Sequence, residues 1–151
     1  MSDLRSAPIP PVGPDDHVRG AGAGAAIVYA DLGCPHCAAA WRELRERPGG
    51  LVLRHFPLAS KHPRAPALHA AAEAAGRQGR FFEMVDSLYA DRGRVDDPHL
   101  WSRAEELGLD LERFEADRRG DEVAARVRRD FESGIRAGVT STPALFSAPA
   151  A

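Results

Sequence analysis

The 151 residues hold a single lysine, Lys61, only two cysteines, and no apolar run near the ~20 residues that a membrane-spanning helix needs. Each scarcity excludes something. No segment reads as membrane-spanning. Two cysteines cannot build a multi-bridge secreted scaffold or, within one chain, a four-cysteine zinc centre. Positive charge is not in excess either: 20 Lys+Arg against 22 Asp+Glu leave a formal charge of −2, which argues against a phosphate-driven nucleic-acid binder. The cations are almost all arginine in an alanine-rich chain, so compositional bias explains them as well as guanidinium chemistry does. Met1 to Gly20 is proline-rich and lacks the apolar centre of a signal peptide, which predicts a cytoplasmic protein.

What is present reads as one α/β unit. Residues 1–20, with Pro8, Pro10, Pro11 and Pro14, predict an extended arm rather than a packed element. Residues 21–60 predict a strand–helix–strand half. Ala26-Ile27-Val28-Tyr29-Ala30 is a buried strand, and Cys34-Pro35-His36-Cys37 opens a helix to about Arg47 with Cys37, Ala40, Trp41 and Leu44 on one stripe. Leu51 to Phe56 is a second strand, parallel to the first. Residues 61–120 are helical: Ala67–Gln78, a segment marked by Phe81, Phe82, Val85 and Leu88, one capped by Asp97 ahead of Pro98, and a short one around Leu111 and Phe114. Residues 121–151 predict a long helix from Asp121 to Gly138, a Ser141-Thr142-Pro143 loop and a last strand, Ala144-Leu145-Phe146.

The cysteine pair carries the chemistry. Cys34 falls where a strand hands over to a helix, so unused backbone N–H groups and the positive end of the helix dipole favour its thiolate. Pro35 suits the first helical position, where its missing N–H costs nothing. Cys37, one turn on, points to the core. An exposed nucleophile backed by a shielded resolving thiol is what thiol–disulfide exchange needs. His36, beside the thiol, can stabilise the thiolate further.

Around this pair the chain resembles the DsbA-like thioredoxin-fold oxidoreductases. The resemblance runs over about residues 15–146: Asp16-His17-Val18-Arg19-Gly20, Tyr29-x-Asp31-x-x-Cys34-Pro35-His36-Cys37, Arg54-His55-Phe56-Pro57-Leu58, Gln78-Gly79-Arg80-Phe81 and Gly138-Val139-Thr140-Ser141-Thr142-Pro143. Small bacterial proteins of this type are similar, as are the thioredoxin-like domains fused to some sodium/proton antiporters. The resemblance implies a thioredoxin fold with an all-helical insertion between its second and third strands. It also implies a cis Thr142–Pro143 bond beside the CxxC, with Thr142 and Pro143 presenting the substrate backbone. No metal or organic cofactor is implied, since the cysteine pair is the redox centre. The implied partners are a thiol or disulfide protein substrate and a recycling redox partner.

Two features depart from the family pattern. Val28 stands where members often carry a buried acid, which leaves Asp31, expected nearer the surface, His36 or water as the candidate proton relay. The family's last strand and closing helix are missing after Phe146, which predicts an open sheet face and either a homodimer through it or a labile monomer. A non-catalytic thioredoxin-fold binding or chaperone module with a vestigial dithiol is the alternative function. His62, His69 and Glu73 give a weak metal pattern that reads better as a solvated helix face. Trp41 and Trp101 read as core, and Arg118-Arg119 with Arg126, Arg128 and Arg129 as a salt-bridged surface.

Overall fold

Among the residues that the computed structural model describes, 7–20 and 24–149, four strands form one sheet. They are β1 (His17–Arg19), β2 (Ala26–Ala30), β3 (Leu51–His55) and β4 (Ala144–Ser147), in the spatial order β1-β3-β2-β4. Expectations for residues 1–6, 21–23 and 150–151 lie outside the described residues. β2 and β3 are parallel, with Ala26 opposite Leu51 and Ala30 opposite His55, joined by α1 (Pro35–Glu46). β1 and β4 are the antiparallel edges. Between β3 and β4 lie α2 (Ala65–Gly76), α3 (Phe81–Ala90), α4 (Asp97–Glu106), α5 (Leu111–Arg118) and α6 (Asp121–Arg136). This is the expected thioredoxin core with its helical insertion. Among the described residues it ends in the open strand β4, with no helix after it.

The arm expected over residues 1–20 is corrected at its end, where His17–Arg19 pairs with Leu51–Leu53 as β1. Three residues are too few to show a period. Arg54 supplies the anchor: its Nε and Nη2 donate to the two carboxylate oxygens of buried Asp16 at 3.0 and 2.9 Å, and Nη2 also reaches the Pro11 carbonyl. A buried two-pronged pair of this kind fixes direction as well as position.

The two sheet faces carry separate cores because side chains alternate along a strand. Ala26, Val28 and Ala30 face Cys37, Trp41 and the insertion helices. Ile27, Tyr29 and Val52 face the other way with Phe56, Val139 and, from α6, Phe131. α6 approaches this side so closely that a Cβ at Gly134 would lie 2.7 Å from the Phe56 ring and 2.9 Å from that of Tyr29. Glycine is therefore required there.

Two local expectations change. The cap of α4 is Asp96, which accepts from the His99 N–H at 3.1 Å, one residue before the expected Asp97. Trp41 is buried as expected. Trp101 is 42% exposed and donates to Glu115 at 2.7 Å, because the inward stripe of α4 is Leu100, Arg103 and Ala104. On β4, Phe146 packs edge-on against Tyr29, while Leu145, on the opposite face, is half exposed.

Candidate active site

The approach to the cysteines is built by Asp31, where β2 ends. Its carbonyl accepts the Cys34 N–H at 3.1 Å, and its Oδ1 accepts the Gly33 N–H at 2.8 Å, the self-bonded turn that aspartate favours. Oδ2 accepts the Leu58 N–H at 3.0 Å and lies 2.9 Å from His62 Nδ1. Asp31 is fully buried, which corrects its expected place nearer the surface: the chain after β3 folds Leu58 and His62 over it. Burial pushes its carboxyl up, but the His69 imidazole and the Gly33 and Leu58 backbone donors outweigh this and bring it down to about 2.

Cys34 then caps α1 in an extended conformation, with Pro35 opening the helix. Cys37, one turn on, is buried, and its Sγ accepts the Asp31 backbone N–H at 3.5 Å. Burial pushes the Cys37 thiol up to about 12, against the Asp31 N–H and the Thr142 hydroxyl, which favour the thiolate. Tyr89, buried beside the pair, donates its hydroxyl to the Asp31 carbonyl at 3.0 Å. The Thr142–Pro143 peptide is cis, and the Thr142 carbonyl accepts from Cys34 Sγ at 3.9 Å. That loop covers the first sulfur: Cys34 is only 4% exposed, a correction to the exposed nucleophile expected.

The structure thus brings Cys34, Cys37, Asp31, Thr142 and Pro143 together. Pro35 and His36 lie exposed at the mouth. Asp31 faces Cys37 with its backbone N–H, and its carboxylate turns to Gly33, Leu58 and His62. Val28 is buried in the same cluster as Cys37, so the position under the cysteines holds no acid. A thiol pair so placed is capable of thiol–disulfide chemistry.

A second titratable cluster lies deeper, and here the solvated helix face expected for His69 and Glu73 is corrected, since both are buried. Its proton positions follow from one bond. The Leu32 N–H donates to His69 Nε2 at 2.9 Å, so that nitrogen carries no proton. Burial holds His69 neutral, its pKa lowered to about 4, so its proton sits on Nδ1 and is donated to His55 Nδ1 at 2.7 Å. His55 then bears its proton on Nε2 and donates to Glu73 at 3.1 Å. His17 Nε2 meets the same carboxylate at 2.9 Å, stacked on Phe81. Among the described residues, His17, His55 and Glu73 come close enough to hold a metal ion. His55 offers that site an N–H rather than a lone pair, and the Arg126 guanidinium stands 3.7 Å from Glu73. The cluster is a hydrogen-bonded tie between β1, β3 and α2. The sequence signal for it was the His17 and His55 positions inside two resemblance motifs, where they carried no assigned role.

Comparison with known proteins agrees with this geometry. The profile of a family described as thioredoxin matches residues 14–147. The chain is 38% identical over 154 residues to a Na(+)/H(+) antiporter NhaA of Herminiimonas arsenicoxydans, covering 96% of this chain and 24% of that protein. It spans about a quarter of the length of the curated relatives it matches. Among solved structures, a thioredoxin-like oxidoreductase from Silicibacter pomeroyi is similar with a TM-score of 0.79 and 26% identity, over 91% of this chain and 83% of that one. Pseudomonas aeruginosa DsbA2 is similar at 0.69 and 25%, over 89% and 80%.

These likenesses overturn the cytoplasmic placement. DsbA is a periplasmic oxidant, and the fold points to a secreted or periplasmic oxidoreductase; a stretch covering a quarter of its relatives says nothing of a leader. Among the described residues no helix is long and apolar enough to cross a membrane. With the profile match, the cysteine pair at the head of α1 and the covering Thr142–Pro143 loop together, the chain belongs to the thioredoxin family as a DsbA-like thiol–disulfide oxidoreductase.

Proposed function

We propose that the protein exchanges disulfides with protein or small thiol substrates through Cys34 and Cys37. The observation that carries this reading is Cys34 capping α1, one turn from a buried Cys37 and against the Thr142 carbonyl. In the oxidising direction a substrate thiolate attacks Cys34 of the Cys34–Cys37 disulfide. A substrate–Cys34 bond forms, the bond to Cys37 breaks, and the electron pair left on Cys37 takes up a proton. With its thiol pushed up to about 12, Cys37 holds that proton firmly. A second substrate thiolate attacks the first substrate sulfur, and Cys34 leaves as thiolate. The substrate dithiol has lost two electrons to the pair, and an external redox partner takes them on. No cofactor enters.

His36, at the mouth, offers the leaving Cys34 thiolate a donor. Thr142 and Pro143 hold the substrate main chain beside the sulfur, in the manner of an added strand. Asp31, the candidate relay, is assigned here to positioning: it shapes the turn into Cys34. Whenever Cys37 resolves a mixed disulfide, in substrate reduction or in re-oxidation of the pair by its partner, it must give up its proton, and neither Val28 nor the Asp31 carboxylate stands ready to take it. The test is turnover of a peptide dithiol with an external oxidant, compared with Cys34→Ser. The reading expects wild type to turn over and the variant to fall to the uncatalysed rate. Wild type no faster than Cys34→Ser selects a non-catalytic binding module instead.

A further inference from the structure

We infer that the mouth of this redox site selects substrates that carry a carboxylate close to the reacting sulfur. The inference rests on the exchange reading above and names its substrate class.

Beside the turn that delivers Cys34 lies a cleft of about 210 Å³. One wall is Leu32 and Gly33, and a single residue step, about 3.8 Å of backbone, separates Gly33 from Cys34. The other walls bring four basic side chains: Lys61, His62 and Arg64 from the segment before α2, and Arg92 from the loop after α3. Among the described residues no carboxylate lines the cleft. The acids nearby are engaged elsewhere. Asp31 is buried behind His62, Asp97 takes Arg64 at 2.8 Å, Asp91 takes Arg94, and Asp96 takes the first turn of α4 and His99. Lys61 and Arg92 are exposed and, among the described residues, unpaired. Gly33 makes the approach possible, since a Cβ there would lie 3.0 Å from that of His62.

The local sign is opposite to that of the whole chain, whose formal charge of −2 would weakly repel anions. A preference for anionic substrates must therefore come from the cleft and not from the general field. Uncompensated charges lining a concave wall next to a reacting atom raise the local concentration of the opposite charge there.

The experiment follows oxidation of the reduced protein by three disulfides of similar size: dithiodipropionate, bis(2-hydroxyethyl) disulfide and cystamine, which are anionic, neutral and cationic. In each reaction the Cys34 thiolate attacks one sulfur and expels one thiolate. Cys37 then attacks Cys34 and expels the second, so the pair is oxidised, two thiols are formed, and the cysteine protons go to them. Each rate is divided by that of the same disulfide with dithiothreitol, which removes differences in leaving group. The expected order is anionic, neutral, cationic, with the extremes roughly tenfold apart at low salt and converging at high salt. Lys61→Glu with Arg92→Glu reverses the order, and Arg80→Glu, beyond the far end of α2, leaves it unchanged.

Equal or reversed normalised rates in wild type overturn the inference, as does an Arg80→Glu effect as large as that of the cleft variants. If no disulfide oxidises the protein while all react with dithiothreitol, the exchange reading itself fails, a distinguishable result. Disulfide-bonded peptides with Glu or Lys flanking the cysteine identify the source of the carboxylate. Stronger discrimination among peptides assigns the cleft to protein substrates, and equal discrimination assigns it to small acidic thiols.

Discussion

Asp31 and Glu73 are both buried carboxylates dressed by imidazoles, yet only one of them lies beside the cysteine pair. Asp31 accepts two backbone N–H groups and faces His62, and through them it shapes the turn that enters Cys34. Glu73 accepts from His55 and meets His17, and so ties the edge strand β1 to β3 and α2. Both acids are drawn below their ordinary pKa by hydrogen bonds that outweigh burial. Charge, burial and histidine content do not tell them apart. What differs is a sulfur one turn away and a cleft open to solvent, which Asp31 has and Glu73 lacks. His69 stands between them, accepting from Leu32 near Asp31 and donating to His55 on the Glu73 side.

That contrast can be broken by substitution. The largest effect on stability is expected for Glu73→Leu, which leaves the His17 and His55 ring donors facing no acceptor. The loss is on the order of 3 kcal/mol for two hydrogen bonds to a charged group, read by urea unfolding. The exchange rate per folded molecule should be unchanged, and a fall in that rate would erase the distinction. Asp31→Asn is expected to cost less, about 2 kcal/mol for the Leu58 N–H left without its acceptor. It should also slow exchange, because the turn into Cys34 loosens. Full exchange activity in a folded Asp31→Asn protein would remove Asp31 from the site.

A further test lies in the pH dependence. His69 is neutral in the fold, with its pKa lowered to about 4, and takes up a proton on unfolding near 6.5. Its contribution is complete above pH 6.5 and is lost as the pH falls to about 4. Asp31, lowered to about 2, contributes fully above its unfolded value near 3.9 and loses that contribution as the pH falls towards 2. Thermal melts should therefore decline in two steps on acidification, and His69→Gln should flatten the upper one. An upper step that persists in His69→Gln would place its origin elsewhere.

The fold was legible where periodicity and punctuation were strong. The apolar run Ala26–Ala30, the Cys37/Trp41 stripe and the Gly49-Gly50 stop predict β2, α1 and the parallel β3. Strand β1 was not legible, because three residues carry no period and their anchor, the Arg54–Asp16 pair, is 38 residues apart in sequence. The cysteines and the Thr142–Pro143 loop were legible from position and from the family motif. The burial of Asp31 was not, since it depends on Leu58 and His62 returning over it. His69 and Glu73, four apart on an alanine-rich helix, look like solvated polar residues until β1 and β3 are seen to supply their partners. Trp101 erred the other way: one helical position separates the buried stripe from solvent.

The central claim is that Cys34 is the attacking and attacked sulfur and Cys37 the one that resolves. Mass spectrometry of Cys37→Ser and Cys34→Ser, each incubated with a disulfide-bonded peptide, tests it most directly. The account predicts a stable peptide adduct on Cys34 in the first variant and none on Cys37 in the second. An adduct on Cys37, or equal labelling of both variants, would contradict it.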